Sequence, residues 1–453
     1  MRNELLERFD ELGNRTAVIH GETSYSYADL ADRVRELGKE LEAQQVRPHD
    51  AVVLNGDFTF TSIAALFALY LNRNIIVPVV SLTEATLATV SDSCAPQYVL
   101  KSADKVTIEK LDGTAEASDA YAGLVSEGAS GLVLLSSGST GAPKAILHNF
   151  DSLVGEKLGK KARVGGKPSK VLMFLLFDHI GGINSLLGVL RLGGTAVLPR
   201  RRTPEEICAL IEEHRIRLLP TSPTFLNLIL IAGFHEQHDL SCLRLITYGT
   251  EPMPEELLKR VNAAFPRARL LQTFGTSETG ISTTTSESSK STFFKIEDGN
   301  VQYRVVDGEL QLKSTTQFLG YLNYPSDSLT EDGWFRTGDL VEENGDGYLK
   351  IKGRAKEIIN VGGEKVLPLE LESLLMASPL IADCTVYGKP NAITGQSVCA
   401  DIVPDGEMTR AQLRRHVTDF LTDKVDPFKI PTKVNLVDAA NVSERFKKKR
   451  ISV

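Results

Sequence analysis

Residues 132–150 read Leu-Val-Leu-Leu-Ser-Ser-Gly-Ser-Thr-Gly-Ala-Pro-Lys-Ala-Ile-Leu-His-Asn-Phe. The four apolar residues Leu132 to Leu135 predict a short buried strand. Ser136, Ser137, Gly138, Ser139, Thr140 and Gly141 follow, all small and mostly hydroxylated, and then Pro143 and Lys144. Glycines let a chain bend tightly around a ligand. Hydroxyls and backbone N–H groups suit phosphate oxygens, and a lysine adds positive charge. The stretch therefore reads as a polyphosphate-binding loop. A plain Gly/Ser linker is the competing reading, and the apolar strand before it and the Pro-Lys after it weigh against that. The G-x-x-x-x-G-K-[ST] spacing of a Walker loop is absent.

The chain has 453 residues, enough for two or three domains. It is 42% hydrophobic and 24% charged, the composition of a globular protein. A net charge of -7 disfavours nucleic-acid binding. No apolar run approaches the roughly 20 residues of a membrane helix. Residues 1–10 mix acids with leucines at helical spacing, which is not a signal-peptide pattern. The cysteines (Cys94, Cys208, Cys242, Cys384 and Cys399) are scattered and lack C-x-x-C spacing. They argue against a disulfide framework or structural zinc and fit small core residues in a reducing cytoplasm.

Before the loop, Ala17–Tyr27 predicts a hairpin, 28–45 an amphipathic helix, 52–54 a strand, 61–71 a helix and 74–80 a strand. That alternation implies a parallel or mixed α/β sheet. Residues 101–130 are polar with little periodicity. After the loop, Val171 to Phe177 predicts a near-continuous strand ending at Asp178-His179-Ile180-Gly181-Gly182. Two further strands end in glycine turns, Tyr248-Gly249-Thr250-Glu251 and Thr273-Phe274-Gly275-Thr276-Ser277-Glu278-Thr279-Gly280. Open α/β sheets bind ligands at the carboxyl ends of their strands. The Ser/Thr-rich stretch 282–291 predicts a mobile loop, and 301–313 a hairpin about Asp307-Gly308.

These segments carry a resemblance. The loop matches every position of [ST]-[ST]-G-[ST]-T-G-x-P-K, the signature of the adenylate-forming superfamily of acyl-CoA synthetases, peptide-synthetase adenylation domains and luciferases. Phe274 to Glu278 is similar to its Tyr-Gly-x-Thr-Glu, with Phe for Tyr and Ser for Thr. Gly333 to Leu340 matches Gly-Trp-x-x-Thr-Gly-Asp-Leu. Gly353 to Val366 resembles the junction between the family's domains. The tail resembles P-x-T-x-x-G-K-x-x-R, with Asn441, Ser443 and Phe446 in place of Pro, Thr and Gly.

The resemblance implies an α/β fold with a large N-terminal domain of mixed sheets (1–353) and a small mobile C-terminal α/β domain (354–453). It implies ATP and CoA as co-substrates with Mg²⁺. Lys144, Glu278 (the Mg²⁺ ligand) and Lys447 would carry catalysis, with Lys448 or Lys449 as alternatives if the register slips. Ser136 to Gly141, Thr276 and Ser277 would hold phosphates. Phe274 and Gly275 on one side, and Gly249, Thr250 and Glu251 on the other, would flank adenine. Asp339 and Arg354 would hold the ribose or phosphate. Lys356 sits at the hinge, and Gly362 and Gly363 would line the pantetheine path. His179, Tyr248, Thr273 and Gly280 would line the acyl pocket. Asp178 would join them, or would grip the ammonium of an amino-acid substrate. The bland readings are a satisfied histidine for His179, solvated or turn carboxylates for Glu278 and Asp339, a hairpin turn for the glycine pair and a solvated basic tail. The implied activity is carboxylate–CoA ligation through an acyl-adenylate. Loading of a carrier-protein phosphopantetheine, amino-acid activation and a non-catalytic nucleotide-binding homologue are the rivals.

Overall fold

The structure is a computed structural model and describes residues 2–102, 106–111, 119–136, 143–158 and 169–450. The chain divides into two compact units, each built from several segments. The first comprises Met1–Pro220, Gly275–Ile281 and Lys313–Phe335, and the second Thr221–Phe274, Ser282–Leu312 and Arg336–Val453. The expected α/β class with mixed sheets is what the chain adopts.

The first unit holds a seven-stranded sheet in the order Gly320–Tyr321, Lys144–Asn149, Gly131–Ser136, Ile75–Val79, Ala51–Asn55, Tyr98–Ser102, Val106–Lys110. Its central strands run parallel. Alternate residues face two separate cores: Val52, Leu54, Leu132 and Leu134 pack into one, and Val53, Val77, Val133 and Leu135 into the other. A sheet covered on both faces needs apolar residues at every position, which is why Leu132 to Leu135 is unbroken. The phosphate-loop candidate connects two antiparallel strands, with Ser136 opposite Lys144. It therefore leads into a second strand, not a helix. A second sheet pairs Thr16–His20 with Thr23–Ser26 and with Thr195–Leu198, and the latter with Lys170–Leu172.

The second unit contains the parallel pair Leu245–Tyr248 and Arg269–Gln272. A six-stranded sheet includes Phe335–Glu343 and Leu349–Arg354. A five-stranded sheet is built on the long pair Ile381–Asn391 and Gly395–Pro404, beside the helices Pro368–Met376 and Arg410–Leu421.

Three expectations fail locally. The strand from Val171 stops at Leu172. Phe174 and Phe177 are buried without entering the ladder, so burial alone produced the strand-like pattern. The Ser/Thr-rich stretch 282–291 is not a loop throughout. Thr284–Ser286 is a strand, and its hydroxyls serve the neighbouring backbone: Ser286 Oγ accepts from Gln272 N at 2.8 Å and Thr284 Oγ1 donates to Gln272 O at 2.5 Å. Within the polar stretch 101–130, Val106–Lys110 pairs with Tyr98–Ser102. All five cysteines are buried and unbridged. Among the described residues no helix is long and apolar enough to cross a membrane.

Candidate active site

In the first unit, Lys144 opens the strand after the candidate loop. Ser137, Gly138, Ser139, Thr140 and Gly141 lie outside the described residues. The Lys144 ammonium stands 4.4 Å from the centroid of the Tyr321 ring and 5.7 Å from that of Tyr324. Both distances suit cation–π attraction. The Tyr321 hydroxyl donates to Glu278 Oε1 at 2.9 Å, and burial and the Glu278 charge push its ionisation upward. Cation, aromatic ring and carboxylate thus form one chain. The Gly275-to-Gly280 turn is pinned from two sides. His148 Nε2 meets the Ser277 carbonyl at 2.7 Å, and Phe318 N donates to the Glu278 carbonyl at 2.7 Å. Burial lowers the His148 pKa to about 4, so the ring is neutral near pH 7 and donates here as a neutral tautomer.

His179 caps the helix Ile180–Arg191, its Nδ1 accepting from Gly181 N at 3.1 Å. Gly182 must be glycine, because a Cβ there would lie 2.0 Å from the Leu176 carbonyl oxygen. Asp178 is half-buried beside this cap. Gly280 and Ile281 line a small cavity with Ile180, Ile183, Leu187 and Asn184.

In the second unit, Thr273 and Tyr248 are neighbours, Thr273 N and Oγ1 both donating to the Tyr248 carbonyl. The Phe274 ring stacks on Phe294 at 5.7 Å. Gly249 and Thr250 lead into Glu251, whose buried carboxylate accepts from Thr224 N at 2.7 Å and Lys448 N at 3.1 Å. Burial raises its pKa. Asp339 faces Arg354 across two antiparallel strands and accepts from Arg354 Nε at 3.1 Å. Burial nonetheless pushes the Asp339 pKa upward, since it outweighs the guanidinium.

The tail lysines differ sharply. Lys447 interacts electrostatically with Arg445, Arg354, Glu251 and Asp339, and burial followed by the two arginines holds its pKa down to about 8. Lys448 turns the other way, its Nζ 2.7 Å from Asp383 Oδ1 and 2.6 Å from the Cys384 carbonyl. Lys449 is exposed. Arg450 pairs with Glu372 at 2.7 Å and Glu357 at 3.1 Å.

Lys356 is exposed in the short turn Ala355–Glu357. Gly362 and Gly363, at φ +63° and +96°, make a tight turn between the paired strands Ile359–Val361 and Glu364–Val366.

A family model described as AMP-binding enzyme matches residues 5–322, and its C-terminal-domain model matches 370–447. The chain belongs to the AMP-binding enzyme family. This AMP-binding enzyme is 27% identical to an indoleacetate–CoA ligase of Aromatoleum aromaticum, over 94% of this chain and 91% of that one. It is 26% identical to a 2,3-dihydroxybenzoate-AMP ligase of Bacillus subtilis, over 96% and 89% respectively. A crystal structure of an anthranilate CoA ligase in complex with anthranoyl-AMP shares its fold, with a TM-score of 0.82 and 19% identity over 99% of this chain and 95% of that one. The AMP-binding enzyme is thus an adenylate-forming ligase.

Sequence reasoning missed Tyr321 and His148 in this AMP-binding enzyme. His148 had a signal, a lone histidine in an apolar strand. Tyr321 had none, because its partners Lys144 and Glu278 lie far along the chain.

Proposed function

We propose that the protein is an ATP-dependent carboxylic acid–CoA ligase. A substrate carboxylate oxygen attacks the α-phosphorus of ATP, an acyl–phosphate bond forms, and the bond to the β-phosphate oxygen breaks to release pyrophosphate. The CoA thiolate then attacks the acyl carbon and AMP leaves. Carboxylate and polyphosphate repel each other, so fixed cations must offset the charge that develops. Lys144 and Lys447 take that role. Asp339 accepts from the ribose hydroxyls beside Arg354. Ser136 to Gly141 with Thr276 and Ser277 hold phosphates. Phe274, Gly275, Gly249, Thr250 and the backbone at Glu251 flank the base.

Magnesium fits Glu278. Among the described residues no group of three or more His, Cys, Asp or Glu side chains gathers as a metal cage. Magnesium on phosphates ordinarily takes only one or two protein carboxylates and keeps waters. Glu278, oriented by Tyr321 through one oxygen, would supply that carboxylate, and the ion would neutralise phosphate charge.

The acid would lie beside Gly280, Asp178 and the His179 cap, although the cavity that Gly280 and Ile281 line is itself only water-sized. Residues 1–353 would form the large domain and 354–453 a mobile one turning at Lys356. Gly362 and Gly363 would pass the pantetheine arm, since among the described residues nothing beyond their chain neighbours comes within 4 Å of where a Cβ would stand at either.

What carries the reading is the tail. Lys447 shares the electrostatic neighbourhood of Asp339 and Arg354, whereas Lys448 is committed to Asp383 and Lys449 is exposed. That favours a catalytic over a merely nucleotide-binding homologue. ATP–pyrophosphate exchange across a panel of short, long, aromatic and amino acids, followed by AMP release with CoA added, tests it. Exchange with one acid and AMP turnover only with CoA is expected. Exchange without CoA turnover would replace CoA by an acyl carrier protein. Absence of exchange with every acid would overturn the ligase reading.

A further inference from the structure

The hairpin that carries Lys447 is held by an unusual set of contacts. Val442 and Lys448 pair antiparallel, and Lys449 N donates to Asn441 O at 2.9 Å. The turn closes through Phe446 N to Ser443 O at 2.9 Å. Phe446 sits at φ +52°, in the left-handed region that favours glycine. Glycine is the residue that the superfamily's tail pattern has there. A bulky residue persists in such a conformation when its surroundings over-determine it.

Those surroundings are one helix end. The Phe446 ring packs edge-on against Phe225, with centroids 5.0 Å apart at 74°. The Phe446 carbonyl accepts from Ser222 Oγ at 2.8 Å. Two residues on, Lys448 N donates to Glu251 Oε2. Ser222 and Glu251 also serve the first turn of the helix Pro223–Ala232, accepting from Phe225 N and Thr224 N respectively. The tail's other side-chain anchors, Lys448 to Asp383 and Arg450 to Glu372 and Glu357, run to residues 357–384. They survive if the hairpin leaves the helix. The contacts to 222–251 can therefore release without unfolding the C-terminal sheet.

We propose that Phe446, Ser222 and Glu251 form a latch that docks the tail hairpin and so sets how long Lys447 is held for adenylation. The kinetic consequence rests on the CoA-ligase reading; the docking rests on geometry alone. All three are positioning residues that act through Lys447. The backbone of Gly249 and Thr250 remains available to the nucleotide while the Glu251 carboxylate serves the latch.

Phe446→Gly tests this cleanly, because it removes the ring and relieves the backbone. With the acid identified by the panel, adenylation should fall about two- to tenfold, the range of an aromatic edge contact. Thioester formation from supplied acyl-adenylate should stay unchanged or rise. In a Phe225→Leu background the same change should have little further effect. Hydrogen–deuterium exchange of the 441–449 peptide needs no substrate and should rise several-fold in Phe446→Gly. Equal effects on the two half-reactions, or unaltered exchange, would overturn the latch even in a working ligase. A wild type that adenylates no acid overturns the ligase reading, and the exchange measurement still decides the docking.

Discussion

Replacing Lys447 by methionine should kill adenylation and stabilise the fold at once. Lys447 is held at about 8, against 10.5 for a free lysine side chain. At about 1.4 kcal/mol per unit, the difference costs the charged folded state on the order of 3 kcal/mol. The sign follows from proton binding. Between pH 8 and 10.5 the unfolded chain holds the proton more tightly, so stability rises with pH there. The penalty is fully present below pH 8 and relieved above it. Methionine keeps the length and drops the charge, so Lys447→Met should unfold at a higher urea midpoint at pH 7, and the advantage should shrink towards pH 10. Adenylation by the same variant should fall at least about 10² to 10³, the cost of one lost electrostatic contact of this kind, while thioester formation from supplied acyl-adenylate survives. In the wild type, kcat/KM for adenylation should decline above pH 8, where free enzyme loses the Lys447 proton. Lys447→Arg should remove that decline, since guanidinium stays charged. A decline retained in Lys447→Arg, or full adenylation by Lys447→Met, would refute the assignment.

Tyr321→Phe deletes the hydrogen bond to Glu278 and should cut adenylation about tenfold, the worth of a bond to a charged acceptor, with a higher magnesium requirement in pyrophosphate exchange. Lys448→Met strands the buried Asp383 carboxylate and should cost about 3–5 kcal/mol in urea unfolding, whereas Lys449→Met, at an exposed site, should stay within about 0.5 kcal/mol. Gly182→Ala drives a methyl into the Leu176 carbonyl, and thermal melting should show a loss above about 2 kcal/mol.

Local chemistry explains how much of the site could be read in the chain. The strand Gly131–Ser136 was legible because both its faces are buried, which leaves an unbroken apolar run. The hairpin about Asp307-Gly308 was legible because the turn demands two left-handed residues, at φ +51° and +79°. The failures share one cause, since residue type does not reveal which partner satisfies a group. Phe174 and Phe177 bury like strand residues yet lie outside any strand. Thr284 and Ser286 look solvated yet hydrogen-bond the backbone of Gln272 in a neighbouring strand.

By itself the sequence determined the adenylate-forming class of the ligase and the order of its motifs, because short segments carry those signatures. Tertiary structure decided that Lys448 pairs with Asp383 while Lys447 sits near Asp339 and Arg354, that Tyr321 bridges Lys144 and Glu278, and that Glu251 caps a helix while holding the tail. Each depends on groups far apart in the chain meeting in a buried place. There a charge must find a partner or shift its pKa, and only the folded backbone determines which partner is within reach.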